Sequence, residues 1–450
     1  MLRNNFKNKN FWFFSRKRLF IPVFIDALIY YLSLFILNLS FTSISIDKLN
    51  YFLVLNLWIF LSYIVGKYNV KHKTSISITR IILFKSLLVN IIVLMAINII
   101  FLGEYNFSNN YFRYFINLLA LFSLLSTLFQ SILSFNFNKL YNKRSVYLFI
   151  GNVEKYKIIK KEIKISDFNF DLLFSEPKIN MIQQKKSLYD GIIFENLNLF
   201  SEDIIDLLLK YKAKGLSIFS LFSWCNRFLQ RLPPELVYKS DLINQDILLN
   251  NKTLHFRMKR AADVIFSSIL LIIFIPIFLV VAFTIYLQDG GNVFYSQERT
   301  GYKGKPFKIL KFRTMKIDAE SKGAQWASKN DKRITKFGNY LRMFRIDELP
   351  QLIYVIQGSM TLIGPRPERP EFDKNLIEKV PHYSLRYTVK PGLSGWAQVN
   401  YPYGSSIEDS INKLSFDLYY LKNFSFQLDC LIFFKTIRLV FNKMLSEPNN

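Results

Sequence analysis

Asp347 and Glu348 stand side by side in "RIDELPQL", two carboxylates just ahead of Pro350, in a chain of 450 residues whose formal net charge is +26. Arginines surround the pair. Arg342 and Arg345 precede it, and Arg366 follows in "GPRPERPEF", set between Pro365 and Pro367, whose fixed φ angles present the guanidinium from a stiff backbone. Paired carboxylates among arginines suit a phosphorylated substrate plus a divalent cation.

Some element must hold them. Leu349, Leu352, Ile353 and Ile356 recur at helical spacing, Gly358 supplies a stop, and Pro350 is tolerated only in a first turn, so the pair is predicted at a helix N-terminus. That position favours carboxylates by ~0.3 to 1 kcal/mol each and exposes N–H groups that can bind phosphate. An N-cap Asp followed by an ordinary first-turn Glu is the plainer account, and from these residues alone the commoner one.

Upstream lies "KRAADVIFSSILLIIFIPIFLVVAFTIYLQDGG", apolar from 261 to 287 and long enough to cross a bilayer. Its flanks oppose a crossing. Arg257, Lys259 and Arg260 precede it and Arg299, Lys303, Lys305, Lys308 and Lys311 follow, so the positive-inside rule asks for both ends in the cytoplasm. Pro276 near its centre removes a backbone hydrogen bond and favours a kink. A re-entrant helix that enters one leaflet and returns is expected. An ordinary fifth span, which would put everything after Leu287 outside the cell, is the alternative.

Between 145 and 250 short apolar runs, "SVYLFIG", "YDGIIFE" and "GLSIFSLFS", alternate with amphipathic stretches such as "SEDIIDLLLKYKAKG", the rhythm of a parallel α/β unit. After the first run comes "GNVEKYK", one glycine where a dinucleotide fingerprint has three. The unit reads as a Rossmann-like α/β domain, and a structural or regulatory role is a better account of it than nucleotide binding.

Residues 1–144 hold four further apolar segments near 19–41, 51–66, 81–102 and 111–135, read as a four-helix transmembrane bundle. The first is long, lacks a convincing cleavage site and is followed by three more, so it reads as a span and not as a signal peptide. Arg3, Lys7, Lys9, Arg16, Lys17 and Arg18 precede it, and Lys67, Lys71, Lys73 and Arg80 follow the second; the other two loops carry Lys48 alone. Both ends of the bundle are therefore expected in the cytoplasm. Asp26 and Lys85 fall inside spans, where an ionisable group is often functional. Helix packing or snorkelling explains them equally well.

Composition agrees with this layout. Half the residues are hydrophobic and 17% aromatic, yet the sequence pI is about 9.7, which suits a protein in and against an anionic membrane. The basic residues flank apolar runs and no nucleic-acid motif is present, so nucleic acid is not an expected partner. Cys225 and Cys430 are too few for a disulfide framework or a Cys-based zinc site. His72, His255 and His382 show no ligand spacing.

Five ordered blocks, "QERTGYKGKPFKILKFRTM", "DKRITKFGNYLRMFRIDELPQL", "GSMTLIGPRPERPEF", "YSLRYTVKPGLSGWAQVN" and "KLSFDLYYLKN", resemble the bacterial sugar transferase family, the monotopic phosphoglycosyl transferases. The resemblance runs from about Leu254 to the C-terminus, and the upstream spans and α/β unit are similar to its long-form members, the polyprenyl-phosphate hexose-1-phosphate transferases. It implies a fold of three parts. Residues 1–144 form the bundle, 145–250 the Rossmann-like domain, and 251–450 a mixed α/β catalytic domain anchored by a re-entrant helix broken at a proline, here Pro276.

The resemblance also implies a reaction. Asp347 attacks the sugar-bearing phosphate of a UDP-sugar and expels UMP; undecaprenyl phosphate then takes the sugar phosphate, as the first membrane step of exopolysaccharide, capsule or O-antigen synthesis. An ordinary Asp, with a pKa near ~3.9, is ionised at pH 7 and ready as a nucleophile. Mg2+ held by Asp347 and Glu348 is implied, with Glu348 assisting catalysis through the metal or by activating the acceptor, and Arg342 and Arg366 on the substrate phosphates; Arg313 is a phosphate ligand or the partner of a structural carboxylate, and Arg345 a phosphate contact or a surface charge. The implied setting is the bacterial inner membrane with the catalytic domain on its cytoplasmic face; a homodimer is left open.

The chain departs from the family in places. Ile275 stands where many relatives have a serine before the helix-breaking proline, Arg345 where they often carry a small residue, and "GWAQVN" runs on as "YPYGSS" and not into a glycine. Two other classes stay in play: a non-catalytic membrane scaffold or sensor, opposed by the intact dyad and GPRP element, and a polytopic transporter, opposed by the extensive sequence after residue 145 and the lack of paired membrane repeats.

Overall fold

The computed structural model describes residues 17–40, 48–69, 75–101, 109–141, 145–165, 170–184, 188–244, 254–317, 319, 331–402, 404 and 406–445. Arg3, Lys7, Lys9, Arg16, Lys71, His72, Lys73 and Lys252 lie outside the described residues. The chain divides into two compact units, Met1–Ser145 and Val146–Asn450.

The first unit is helical: α1 (Lys17–Ser40), α2 (Lys48–Val65), α3 (Ser75–Phe101) and α4 (Asn109–Tyr141). Segments of α1, α3 and α4 are long and apolar enough to cross a membrane, whereas the second expected span forms the 18-residue α2, whose apolar stretch Asn50–Val65 is shorter. Tyr30, Trp58 and Phe122 fill the interior, the last two with ring centroids 4.4 Å apart. Phe24, Phe35, Phe84, Ile91 and Ile99 face outward, as apolar side chains do when the surrounding solvent is lipid.

Asp26, Lys67 and Lys85 of this unit are tied down. Asp26 pairs with Lys67 at 3.0 Å and accepts from Ser126 at 2.5 Å and Gln130 at 2.9 Å, while Lys85 donates to the Gly66 carbonyl at 2.9 Å. Asp26 and Lys85 thus both have partners within this unit, as the packing reading requires. Lys67, which stands among the loop charges in the sequence, is fully buried beside Asp26 and 4.1 Å from the Trp58 ring centroid.

The second unit begins with parallel strands. β1 (Ser145–Ile150), β2 (Phe170–Ser175), β3 (Gly191–Phe194) and β4 (Ser217–Ser220) form one sheet in the order β2-β1-β3-β4, with β1–β3 and β3–β4 parallel in register Leu148↔Ile192↔Ile218. α5 (Val153–Ile165) follows β1 and α6 (Glu202–Ala213) follows β3; Leu148, Ile150, Ile192, Ile204 and Leu208 make the core between sheet and helix.

α7 (Leu254–Asp289) is one helix of 36 residues that runs through Pro276. Both its ends grip the same unit. Near the N-terminus Lys259 donates to the Ile363 carbonyl and to Asp429, Arg260 donates to the Val355 and Ile356 carbonyls at 2.6 Å each, and Asp263 accepts from Thr361 and the Leu362 N–H. About 27 Å further along the axis, Val281 and Ile285 are buried against Phe312 and Leu341. Between the two anchors Ile272, Ile273, Ile275 and Leu279 are exposed.

Antiparallel β5 (Phe294–Thr300) and β6 (Pro306–Phe312) come next, followed by α8 (Lys336–Met343), capped by the Thr335 hydroxyl. Gly338 of α8 lies so close to the Thr314 carbonyl that any Cβ would collide with it. α9 (Leu352–Gln357) ends at Gly358, whose φ of 90° suits glycine. β7 (Thr361–Ile363) pairs in parallel with β8 (Gly392–Ser394). A side chain at Gly392 would strike the Gly364 backbone, so this contact draws the "GPRP" and "KPGLSGW" blocks together. α10 (Pro370–Lys379), α11 (Trp396–Asn400), α12 (Ile407–Lys422) and α13 (Phe426–Leu445) complete the unit.

Candidate active site

The carboxylate pair sits where α8 turns into α9. Arg345 adopts a left-handed conformation, φ 57°, and residues Ile346–Gln351 form a 3-10 turn before α9 begins. The helix start expected from the sequence is thus a tighter turn that carries both acids and Pro350. Asp347 and Glu348 are each 7% exposed.

The two carboxylates have different surroundings. Arg366 donates to Glu348 through both terminal nitrogens, at 2.6 and 3.3 Å, and Lys311 and Arg345 lie 3.6 and 3.5 Å from the same carboxylate. Among the described residues no hydrogen bond or ion pair reaches Asp347. Glu348 is saturated with cations, and Asp347 is left available.

Burial and the Glu348 charge push the Asp347 carboxyl up to about 6, against the pull of Lys311, Arg342 and Arg366. It is therefore less acidic than the ordinary Asp expected from sequence, yet mostly ionised at pH 7. Burial alone would raise Glu348 too, but Arg366, Lys311 and Arg345 outweigh it and hold that carboxyl well below its usual range. Burial also lowers the Lys311 ammonium to about 8, the Glu348 charge only partly restoring it.

Of the expected phosphate-binding arginines, Arg366 and Arg345 reach the pair directly. Arg342 is turned to Thr314, its Nε donating to the hydroxyl at 2.9 Å, and acts on Asp347 through charge alone. Arg313 is placed elsewhere, bound bidentately by Asp289 at the end of α7. Pro276 lies within α7, outside this cluster.

Lys311 is the site residue that sequence reasoning missed. Both it and Arg313 belong to "KFRTM", but β6 ends at Phe312 and the Arg313 N–H bonds the Val293 carbonyl, so Lys311 alone keeps the strand face toward the 3-10 turn. Strand alternation through "KPFKILKF" was the available signal. A further ring of charge lies behind. Arg299 is 3.8 Å from Glu368, and Arg386 lies 3.2 Å from Asp417 while donating to the Arg366 carbonyl at 2.7 Å.

The donor set accommodates a divalent cation in a limited way. Among the described residues no three His, Cys, Asp or Glu converge. Glu348 is already engaged, so an ion here would rest on Asp347 and on oxygens of a bound phosphate, the habit of Mg2+ with one or two carboxylates.

The family described as bacterial sugar transferase matches residues 254–443. The UDP-N-acetylgalactosamine-undecaprenyl-phosphate N-acetylgalactosaminephosphotransferase of Aeromonas hydrophila is 44% identical over 183 residues, 41% of this chain and 43% of the relative. The UDP-glucose:undecaprenyl-phosphate glucose-1-phosphate transferase of Escherichia coli (strain K12) is 38% identical over 182 residues, 40% and 39% of the two chains. The protein of the same name in Caulobacter vibrioides is 36% identical over 181 residues, 40% of this chain and 68% of the relative. The chain spans about two fifths of the length of the first two relatives.

Proposed function

Since the chain belongs to the bacterial sugar transferase family, and since its Asp347 carboxylate has no partner among the described residues while Glu348 beside it is surrounded by cations, we propose that it transfers a sugar 1-phosphate from a UDP-sugar to undecaprenyl phosphate. The single observation that carries the chemistry is this asymmetry within the pair. A nucleophile needs a free lone pair, and the group beside it needs its charge neutralised if an anionic substrate is to approach.

An Asp347 oxygen attacks the sugar-bearing phosphorus; the bond from that phosphorus to the bridging oxygen breaks and UMP leaves with the electron pair. An oxygen of undecaprenyl phosphate then attacks the same phosphorus, the Asp347–phosphorus bond breaks, and the carboxylate is restored with undecaprenyl diphosphate sugar as product. Arg366, Arg345, Lys311 and Arg342 supply positive charge around the transferring group, the main requirement of phosphoryl transfer. Bound Mg2+, leaning on Asp347, would neutralise charge on the phosphate oxygens.

The anchor supports a re-entrant placement, and the basic flanks of α7 support the cytoplasmic side. A straight crossing would carry the two grips of α7, on Ile363 and on Phe312, to opposite sides of the bilayer, yet both belong to one compact unit. Exposed apolar side chains run along α7 from Ile265 to Leu287, on both sides of Pro276, a surface suited to lipid. The parallel sheet before α7 is read as the Rossmann-like domain of a long-form member.

The test is UMP release from a panel of UDP-sugars by protein in lipid nanodiscs with magnesium and undecaprenyl phosphate, beside Asp347→Asn. Release with one sugar that disappears in the variant is expected. Silence across the panel from folded protein would overturn the reading.

A further inference from the structure

Open parallel sheets bind ligands beyond the carboxyl ends of their strands. In this sheet that place is filled by the chain itself. Beyond β1 the Asn152 N–H donates to Glu195 at 2.6 Å, a Cβ on Gly151 would collide with the same carboxylate, and the Tyr238 hydroxyl also donates to it. The carboxylate stands where an incoming anion would.

Apart from an exposed ion pair between Lys161 of α5 and Glu408 of α12 at 2.8 Å, the α/β part meets the rest of the unit through the contacts of one segment, Cys225–Val237. A π-turn over Cys225–Leu229 leads to Gln230 in the left-handed conformation, φ 54°, and Pro233 and Pro234 stiffen the remainder of the segment. Leu232 is fully buried, and its N–H donates to the Ser415 carbonyl of α12 at 2.7 Å. Trp396 donates to the Gln230 carbonyl at 3.0 Å. Buried Arg231 is ion-paired with Glu162 of α5 and lies 5.7 Å from the Phe416 ring centroid. Asn423 donates to Asn226 at 2.6 Å, and His382 Nε2 lies 3.2 Å from the Val237 carbonyl.

These contacts fall on Trp396 of α11, on Asn423 at the end of α12, on α12 at Ser415 and Phe416, and on the turn at His382; the last two places lead to the site. Asp417 and Arg386 stand one to four residues further on. They meet each other at 3.2 Å, and Arg386 holds the Arg366 carbonyl at 2.7 Å, so that the backbone from which Arg366 reaches Glu348 is fixed from behind. An unbroken run of contacts thus joins α5 to the carboxylate pair.

We propose that Gln230–Val237 is a brace through which the α/β part positions Arg366 against Glu348, with Arg231 and Leu232 as positioning residues. The partner of the α/β part is the phosphate site of its own chain, and not a nucleotide. This rests on the roles proposed for Asp347 and Glu348.

The test uses the full chain in nanodiscs carrying Glu162→Gln with Arg231→Met, which removes both charges of the buried pair at similar volume and leaves neither unpaired. Amide hydrogen exchange is read without substrate, and UMP release is read separately. Exchange at 382–388 and 414–418 rising about tenfold, with turnover falling about tenfold at unchanged melting temperature, supports the brace, a size in the range of measured couplings. Unchanged exchange there, or raised exchange with undiminished turnover, overturns it. Should the double variant not fold, Arg231→Lys decides on the same two readouts, since it keeps the charge pair and withdraws the guanidinium from Phe416. A chain that released no UMP in any form would fail the proposed function while the exchange still decided whether the brace exists.

Discussion

Arg366 grips Glu348 through both terminal nitrogens, at 2.6 and 3.3 Å, across a gap of eighteen positions in the chain. One acid of the pair is thereby neutralised and the other freed. The roles proposed for Asp347 and Glu348 draw support from this contact.

Asp347→Asn keeps shape and removes the negative nucleophile. Turnover should fall by at least about a thousandfold, and mass spectrometry of protein quenched with UDP-sugar alone should show the sugar-phosphate adduct on the parent and none on the variant. Adduct on the variant would move the nucleophile elsewhere.

Arg366→Lys retains a charge and loses the two-pronged hydrogen bond. A fall in kcat of about a hundredfold is expected, in line with removal of one electrostatic stabiliser. Arg313→Lys, whose guanidinium is bound by Asp289, should change kcat by less than about threefold and act instead on stability. Steady-state kinetics on the two variants side by side separates them.

The pH profile should be bell-shaped. Asp347 attacks only when ionised, so activity is lost as pH falls through about 6; Lys311 screens the site only when charged, so activity declines again as pH rises through about 8. Lys311→Met removes a cation that holds Asp347 down, so the acid limb should move to higher pH and the alkaline limb vanish. An acid limb near 4 would count against the buried environment described.

A cysteine placed at Lys252 and another at Lys303 should both escape a membrane-impermeant thiol reagent in intact cells. Labelling of the second alone would restore a fifth span.

In the helical bundle, Asp26→Asn leaves buried Lys67 without its counter-charge and should destabilise the protein by about 3 to 5 kcal/mol. The double variant Asp26→Asn with Lys67→Met should recover most of the loss, read by thermal unfolding in detergent.

Much was legible along the chain. Apolar segments of sufficient length announced α1, α3, α4 and α7, and "DELPQL" announced a helical start with two acids, though not its 3-10 form. These are properties of consecutive residues, set by side-chain periodicity and by what proline and glycine permit.

Partnerships were not legible in the same way. "KFRTM" offers Lys311 and Arg313 equally, and only the end of β6 at Phe312 sends one to Glu348 and the other to Asp289. Asp26 reads from sequence as a functional or a packing residue alike, until Lys67 is found beside it. Length and pattern fixed which elements form, because both are local; which acid is free and which is paired was decided by the tertiary structure, because burial and charge at a site depend on residues that only folding brings together.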